Sequence, residues 1–539
     1  MAITAAACGR PPADGLSPDG GSSADAEPSR AFPTATGADD PGPSCSGVSR
    51  GAVCGVCGAV DCGEGAVACA PGPAVCPLFE PVPIDGAIGG GGLQFGSGIA
   101  FGDVDGDGRV DAVVGSAERA LLYLGTSAGF RRNDQALVGG SPTNVGSITL
   151  VDFDGDGDLD LFMTSREPSP GLHLRANDGT GRFRDVSADI PLPAMARPFG
   201  AAWGDFDRDG WLDVFVAGYL DEPSKLLRNV DGRRFDDVTD LIAADTAPQA
   251  SLQPVWIDYD ADGDLDLFVS NDFGPATGFP SSLYRNDAGA GFVLVSAEAG
   301  ITELIYGMGI GVFDADADAD LDLYVTNIGW AAGGQKLYLN NGDGTFVEGA
   351  DDHGLAAYDR WGWGAEPLDM DNDGDADMAL AAAFPASGWF AENNADKYLD
   401  ITDVAGEFPM GQTLYGVATA DFDADGDLDI GWTTLDPLIG TQLYRNVHPD
   451  PGHWIRIRLD APAPNTRAIG ATVIVTAGGR RRAGAILAGN SYLSSSEPVA
   501  HFGLGDVDDV SAIEVRWPDG SVTHHDGPFA ADQVIALEP

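Results

Sequence analysis

Aspartates at positions 1, 3, 5 and 9 of a nine-residue stretch recur seven times along this 539-residue chain, with glycine at position 6 in all copies but one. The fullest copy reads Asp152-Phe153-Asp154-Gly155-Asp156-Gly157-Asp158-Leu159-Asp160. The seven sets are Asp103, Asp105, Asp107 and Asp111; Asp152, Asp154, Asp156 and Asp160; Asp205, Asp207, Asp209 and Asp213; Asp258, Asp260, Asp262 and Asp266; Asp314, Asp316, Asp318 and Asp322; Asp369, Asp371, Asp373 and Asp377; and Asp421, Asp423, Asp425 and Asp429. Alternate carboxylates on a tight loop converge on one point, and glycine permits the turn. An all-oxygen donor set at ~2.3–2.6 Å is what hard Ca2+ takes, so the spacing predicts up to seven bound Ca2+, with the position-7 carbonyl as a further donor. An EF-hand is excluded, because it needs Glu at position 12. Here that position holds Val114, Met163, Val216, Val269, Val325, Leu380 and Trp432, residues of a buried strand. An acidic disordered run is excluded too, since positions 8 and 10 are apolar in every copy.

The copies return about every 53 residues, an interval that means blades or solenoid units. One repeat reads in full as a strand at Gly200–Gly204, the Asp205 loop, a second strand at Leu212–Ala217, a third at Lys225–Asn229, a turn at Asp231-Gly232 and a fourth strand from Phe235. The third-strand pattern recurs at Leu283-Tyr284-Arg285-Asn286, Leu337-Tyr338-Leu339-Asn340 and Leu443-Tyr444-Arg445-Asn446, and the fourth at Phe183, Phe292 and Phe346. Four strands per repeat make a propeller blade, whereas β-solenoid coils are much shorter. The fold class expected is all-β: a seven-bladed β-propeller over residues 77–447, followed by a separate small all-β domain over 448–539. The Tyr and Phe residues of these strands are expected to pack between blades.

Two details follow from counting. The seventh repeat has no fourth strand before the chain turns at His448–Gly452, while Pro77–Ile84 is a spare strand with Phe79 and Val82 at the spacing of Phe235 and Val238. That segment is predicted to pair with the third strand of the last blade and close the ring, its prolines tolerated on an outer edge. The fifth loop has Ala319 where the others have Gly, and Ala resists positive φ, so this site is predicted to be the weakest.

The net charge is -54, and about 33 of the 83 acidic residues lie in the loops, where seven Ca2+ would offset about 14 units. Such a surface repels nucleic acid and anionic membranes, and no apolar run reaches the ~18 residues of a membrane span. Residues 1–44 are rich in Pro, Gly, Ser, Ala and Asp and read as a signal remnant and disordered linker. Ala5-Ala6-Ala7-Cys8 resembles the end of a bacterial lipoprotein signal, which makes Cys8 a candidate lipid anchor. Cys45, Cys54, Cys57, Cys62, Cys69 and Cys76 crowd residues 45–76. Three disulfides, in any of fifteen pairings, are expected there and imply an oxidising compartment; a zinc site on Cys54 and Cys57 is the alternative.

The Asp loops resemble the calcium loops of FG-GAP or VCBS repeats, as in the propeller of integrin α chains. Asn465–Ala471, Ser491–Ser495, His501–Gly505 and Val515–Gly520 resemble blocks of the ASPIC/UnbV domain. From about residue 79 the chain is similar to the cartilage acidic protein family and its bacterial relatives, which implies extracellular calcium binding and matrix interaction. No Ser, Cys or Lys sits in a nucleophile motif. His524-His525 reads as a surface strand pair and His501 as a core residue. The chain is therefore expected to be an exported interaction or adhesion module and not an enzyme, at the cell surface or outside it, or on an outer membrane through lipid. Its expected partner is an extracellular protein or a glycan. A carbohydrate-binding propeller and a Ca2+-dependent polysaccharide-active enzyme are the alternatives.

Overall fold

The computed structural model describes residues 78–85 and 95–539, apart from 139, 167–170, 243–249, 329–332, 384–387, 395–396, 407–412, 435–439 and 450. Cys8, the linker and the cysteines from Cys45 to Cys76 lie outside the described residues. Helix among the described residues amounts to three four-residue segments, Gly274–Thr277, Ala350–His353 and Thr402–Ala405, and a 3-10 turn at Thr239–Leu241. None is long and apolar enough to cross a membrane.

From Phe79 to Asn446 the described strands form seven antiparallel-based sheets in sequence order, the first two with a fifth, parallel strand. In each, the position-9 aspartate opens the second strand, so every Asp loop is the hairpin between first and second strands. Those two strands are buried along nearly their whole length, as in Val145–Val151 and Asp160–Ser165, because neighbouring sheets cover both faces. The third strand, as in Lys225–Val230, is only partly buried. First strands of successive sheets contact one another in order, and the last meets the first. There Thr433 Oγ1 of the seventh sheet donates to the Ser97 carbonyl beside the first, at 2.6 Å. This is a closed β-propeller.

Closure runs through the spare strand. Phe79–Pro81 pairs antiparallel with Gln442–Asn446, matching Phe79 to Asn446, Glu80 to Arg445 and Pro81 to Tyr444. Ile84–Asp85 then pairs parallel with Phe130 and Arg131 of the first sheet. One short segment thus joins the last sheet to the first. Its prolines sit on the outermost strand, where a missing N–H costs no ladder bond.

The chain after Asn446 forms two sheets. His453–Leu459 lies between Ala500–Gly505 and Gln533–Leu537, and Thr472–Ala477 lies between Arg480–Ala485 and Asp509–Arg516, which in turn pairs with Val522–Ala530. This segment has its own two sheets, caps the ring and shares one compact unit with it. Its loop from Ala488 to Glu497 runs down the ring's axis and exchanges hydrogen bonds with the first strand of every sheet. Ser495 pairs with Ile99 and Phe101, the Ile148 amide donates to Leu493, Trp203 donates to Ala488, and Ser491 pairs with Ile310. The Leu493 amide donates to Gln253 Oε1, Asn490 Nδ2 donates to Glu366, and the Glu497 amide donates to the Thr419 carbonyl. Gly98 is required by this fit, since a Cβ there would lie 1.6 Å from the Leu493 carbonyl oxygen.

Candidate metal centres

Each loop bends through two left-handed residues. Position 6 has φ between +83° at Gly108 and +98° at Gly157 and Gly426, and Ala319 joins this conformation at +76°. Position 4 is left-handed as well, at Gly106, Gly155, Arg208, Ala261, Ala317, Asn372 and Ala424, a requirement the sequence hides because five of these are not glycine. The turn wraps the backbone around the position-1 carboxylate. Asp152 Oδ1 accepts from the Gly155 and Asp156 amides and Oδ2 from Gly157, at 2.8–3.2 Å. The position-5 carboxylate accepts from the position-7 amide, as in Asp158 to Asp156 at 3.0 Å.

Position 9 is held from two sides. Asp213 Oδ2 accepts from the Phe206 amide at 3.3 Å, and Oδ1 from the Asn229 amide at the end of the third strand at 2.7 Å. The side chain of that Asn reaches back to the preceding sheet. Asn177, Asn229, Asn286, Asn340 and Asn446 donate from Nδ2 to the position-2 carbonyls of Val104, Phe153, Phe206, Tyr259 and Met370, at 2.7–2.8 Å. These asparagines close the third-strand pattern in the sequence. Their spacing was visible, but their role was not, because the partner lies about 76 residues upstream.

In five loops three of the four spaced carboxylates come together, while Asp111, Asp156, Asp209, Asp266 and Asp318 lie outside these sets. One oxygen each from Asp103, Asp105 and Asp107 lies within 4.8 Å of the others, and the same holds for Asp152, Asp154 and Asp160; Asp205, Asp207 and Asp213; Asp258, Asp260 and Asp262; and Asp314, Asp316 and Asp322. Several inward oxygens have no donor. Asp105, Asp154 and Asp207 at position 3, and Asp258 and Asp369 at position 1, each bury an Oδ1 that accepts no hydrogen bond. Buried carboxylate oxygens without donors, present in five of the seven loops, fit a hard divalent cation. Burial first, and neighbouring aspartates with it, push the metal-free carboxyls up. Asp258, Asp314 and Asp421 reach about 6, Asp111 and Asp205 about 7, Asp322 about 8, and Asp160 and Asp266 about 9. Such groups hold protons more readily than free carboxyls do, so protons and a cation would compete for them.

The cap rests on the loops. Thr466 Oγ1 donates to Asp152 Oδ2 at 2.6 Å, the Ala483 amide to Asp314 Oδ2 at 3.0 Å, and Arg456 Nη1 to Asp421 Oδ2 at 2.9 Å. Arg482 donates to Asp375 at 2.9 Å. Among the described residues the loops opening at Asp103, Asp205 and Asp258 take no such bond, and Gly108 in the first is exposed. His501, packed under the cap with its ring partly at the surface, bonds to the Gly426 carbonyl at 2.9 Å, and desolvation, with Arg456 beside it, pushes it down to about 3, so it stays neutral. His524 is exposed on the paired strand Val522–Ala530, as expected. Glu366, which motif reading passed over, is buried beneath the cap. It accepts from Thr419, Asn490 and Ser496, and burial pushes it up to about 7.

Parts of the chain are similar to known proteins. The ASPIC and UnbV family model matches residues 461–539, and the FG-GAP-like repeat model matches 103–163, 152–216, 207–269, 327–380 and 369–432. Cartilage acidic protein 1 of Homo sapiens is 24% identical over 476 residues, spanning 71% of this chain and 70% of its own length. That of Mus musculus is 24% identical over 476 residues, spanning 71% and 72%. A solved Agrocybe aegerita lectin, described for recognition of non-reducing terminal N-acetylglucosamine, is 18% identical with a TM-score of 0.40, and covers 66% of this chain and 94% of its own. The chain belongs to the FG-GAP-like repeat proteins, carries a C-terminal ASPIC and UnbV domain, and is homologous to cartilage acidic protein 1.

Proposed function

We propose that this protein is an exported, calcium-loaded β-propeller that serves as an extracellular interaction or adhesion module. The buried carboxylate oxygens without donors in the loops at Asp103, Asp152, Asp205, Asp258 and Asp369 support this reading, since a cation would satisfy them. Asp residues at positions 1, 3, 5 and 9 of each loop would hold Ca2+, which supplies charge neutralisation and rigidity there and no redox or proton chemistry. The cap adds its own donors to the same carboxylates, so a loaded ring presents a fixed surface to a protein or glycan partner. Binding rather than turnover is the activity proposed, because carboxylates committed to a cation make poor acids and bases. The test strips the protein with EGTA, titrates Ca2+ by calorimetry and follows the melting temperature. Each site at 100 times its dissociation constant adds about 2.7 kcal/mol, so the melting temperature should rise by many degrees. A melting temperature indifferent to EGTA and to millimolar Ca2+ overturns the reading. An array of glycans and matrix proteins, probed with and without Ca2+, then identifies the partner class.

A further inference from the structure

The two ends of the axial channel differ in chemistry. The metal loops follow the first strands, so the ends of the second strands and the beginnings of the first lie at the opposite mouth. Arg166 follows the second strand Asp160–Ser165, and Trp363 sits near the start of the first strand Trp361–Leu368. Both flank Phe95, with Arg166 Cζ 5.9 Å and the Trp363 ring 6.4 Å from its centroid. Arg166 also lies 4.3 Å from the Phe199 centroid. The tip of the cap's axial loop closes this mouth, with Tyr492 5.4 Å from Trp363.

This aromatic basket has donors without acceptors. Arg166 Nε and Nη1 and Trp363 Nε1 are buried and make no hydrogen bond, and Arg166 Nη2 reaches only the Phe95 carbonyl at 3.4 Å. Among the described residues no carboxylate pairs with Arg166; Asp272, on the same rim, accepts instead from Tyr219 Oη at 2.9 Å. A buried guanidinium without an anion is destabilising, and a set of orphan donors asks for an acceptor that the chain does not provide. The two oxygens of one carboxylate can serve two N–H groups of a guanidinium, and aromatic walls suit the apolar body behind it. We propose that the mouth opposite the metal loops binds a carboxylate-bearing small ligand, its carboxylate on Arg166 and its body against Phe95 and Phe199, with Trp363 Nε1 as a further donor.

The site does not depend on the metal reading, so its test is run on protein kept in Ca2+. Sodium acetate replaces sodium chloride at constant ionic strength while the melting temperature is followed. Acetate should raise it saturably and chloride should not. In Arg166→Met the acetate effect should vanish, while the melting temperature without acetate should equal or exceed that of the unsubstituted protein, because an unpaired buried charge is gone. Trp363→Phe keeps the ring, loses the donor and should weaken acetate at least threefold. Glucuronate binding tenfold tighter than acetate assigns the site to an acidic sugar, and equal affinities assign it to a small carboxylate. An Arg166→Met protein that melts lower at every acetate concentration, beside an unsubstituted protein that acetate leaves unchanged, overturns the proposal and leaves Arg166 as a stacking residue. An equal response to chloride overturns the carboxylate assignment.

Discussion

Removing the ring of Phe79 should destabilise the whole propeller, although this residue lies outside every repeat. Phe79 is 1% exposed, stacks on Phe390 at 5.2 Å and packs in one cluster with Leu368, Met370, Trp432 and Tyr444. Burying a Phe side chain is worth about 1.5–3 kcal/mol, and an aromatic pair adds roughly 0.5–1.5. Phe→Ala in cores costs about 3–5 kcal/mol once the cavity is included. The edge position of Phe79–Pro81 limits the loss to what its docking supplies, so Phe79→Ala is expected to cost about 3 kcal/mol. Urea unfolding of the Ca2+-loaded protein, read by tryptophan fluorescence, measures it, since Trp432 lies 5.7 Å from Phe390. Val347, 54% exposed on a fourth strand, is the control, and its change to Ala should stay within about 0.5 kcal/mol. Deleting residues 77–86 should repeat the effect of Phe79→Ala more strongly, whereas deleting 9–44 should not. A loss below about 1 kcal/mol at Phe79, or equal stability of the two deletions, would refute closure through this strand.

Three further outcomes are expected. In protein stripped of metal, carboxyls whose folded pKa is raised, about 7 at Asp205 and about 9 at Asp160, contribute stability that is full below about pH 4 and is lost as pH rises through the folded values; urea midpoints in EDTA should therefore fall from pH 5 to pH 9, and a rise would contradict the assignment. Ala319→Gly relieves about 1 kcal/mol of left-handed strain but removes a methyl, worth about 0.8 kcal/mol, that is buried against Ile474 and Ala483 of the cap, so stability should change by less than about 0.5 kcal/mol; calcium titration decides whether the fifth site is nonetheless the weakest. Gly98→Ala sets a methyl against the Leu493 carbonyl, and hydrogen exchange of the Ser491–Ser495 amides should accelerate at least tenfold while amides of the outer strands hold.

What was legible in the sequence is what repeats or is local. Loop spacing and hairpins are short-range signals copied seven times, the third-strand pattern returns in four repeats, and even ring closure could be read from Phe79 and Val82 standing at a familiar interval. The axial loop was not legible. Its Ser491–Ser495 block was seen as a motif, but Ser494 meets Ile99 across 395 residues, and most of its bonds are between backbones, which select no side-chain type. The only traces are small residues at points of close approach, such as Gly98 and Gly489, and the chain has 75 glycines among which to hide them. Arg166 was invisible for the opposite reason: a lone arginine becomes notable only when its surroundings are seen to lack a carboxylate.

Ring, loops and cap form one cooperative device because they share atoms. The Asp152, Asp314 and Asp421 carboxylates each receive backbone amides of their own loop on one side and a donor of the cap on Oδ2. Each bond fixes the carboxylate for the others, and the proposed cation, drawing on the same group, would remove the repulsion that otherwise tends to open the loop. Energies of groups that share a partner do not add. With Ca2+ in the loops, as proposed, its affinity, cap docking and ring stability would be three readings of one network, while the loops at Asp103, Asp205 and Asp258, which among the described residues receive no hydrogen bond from the cap, stand outside the part of that network that the cap controls.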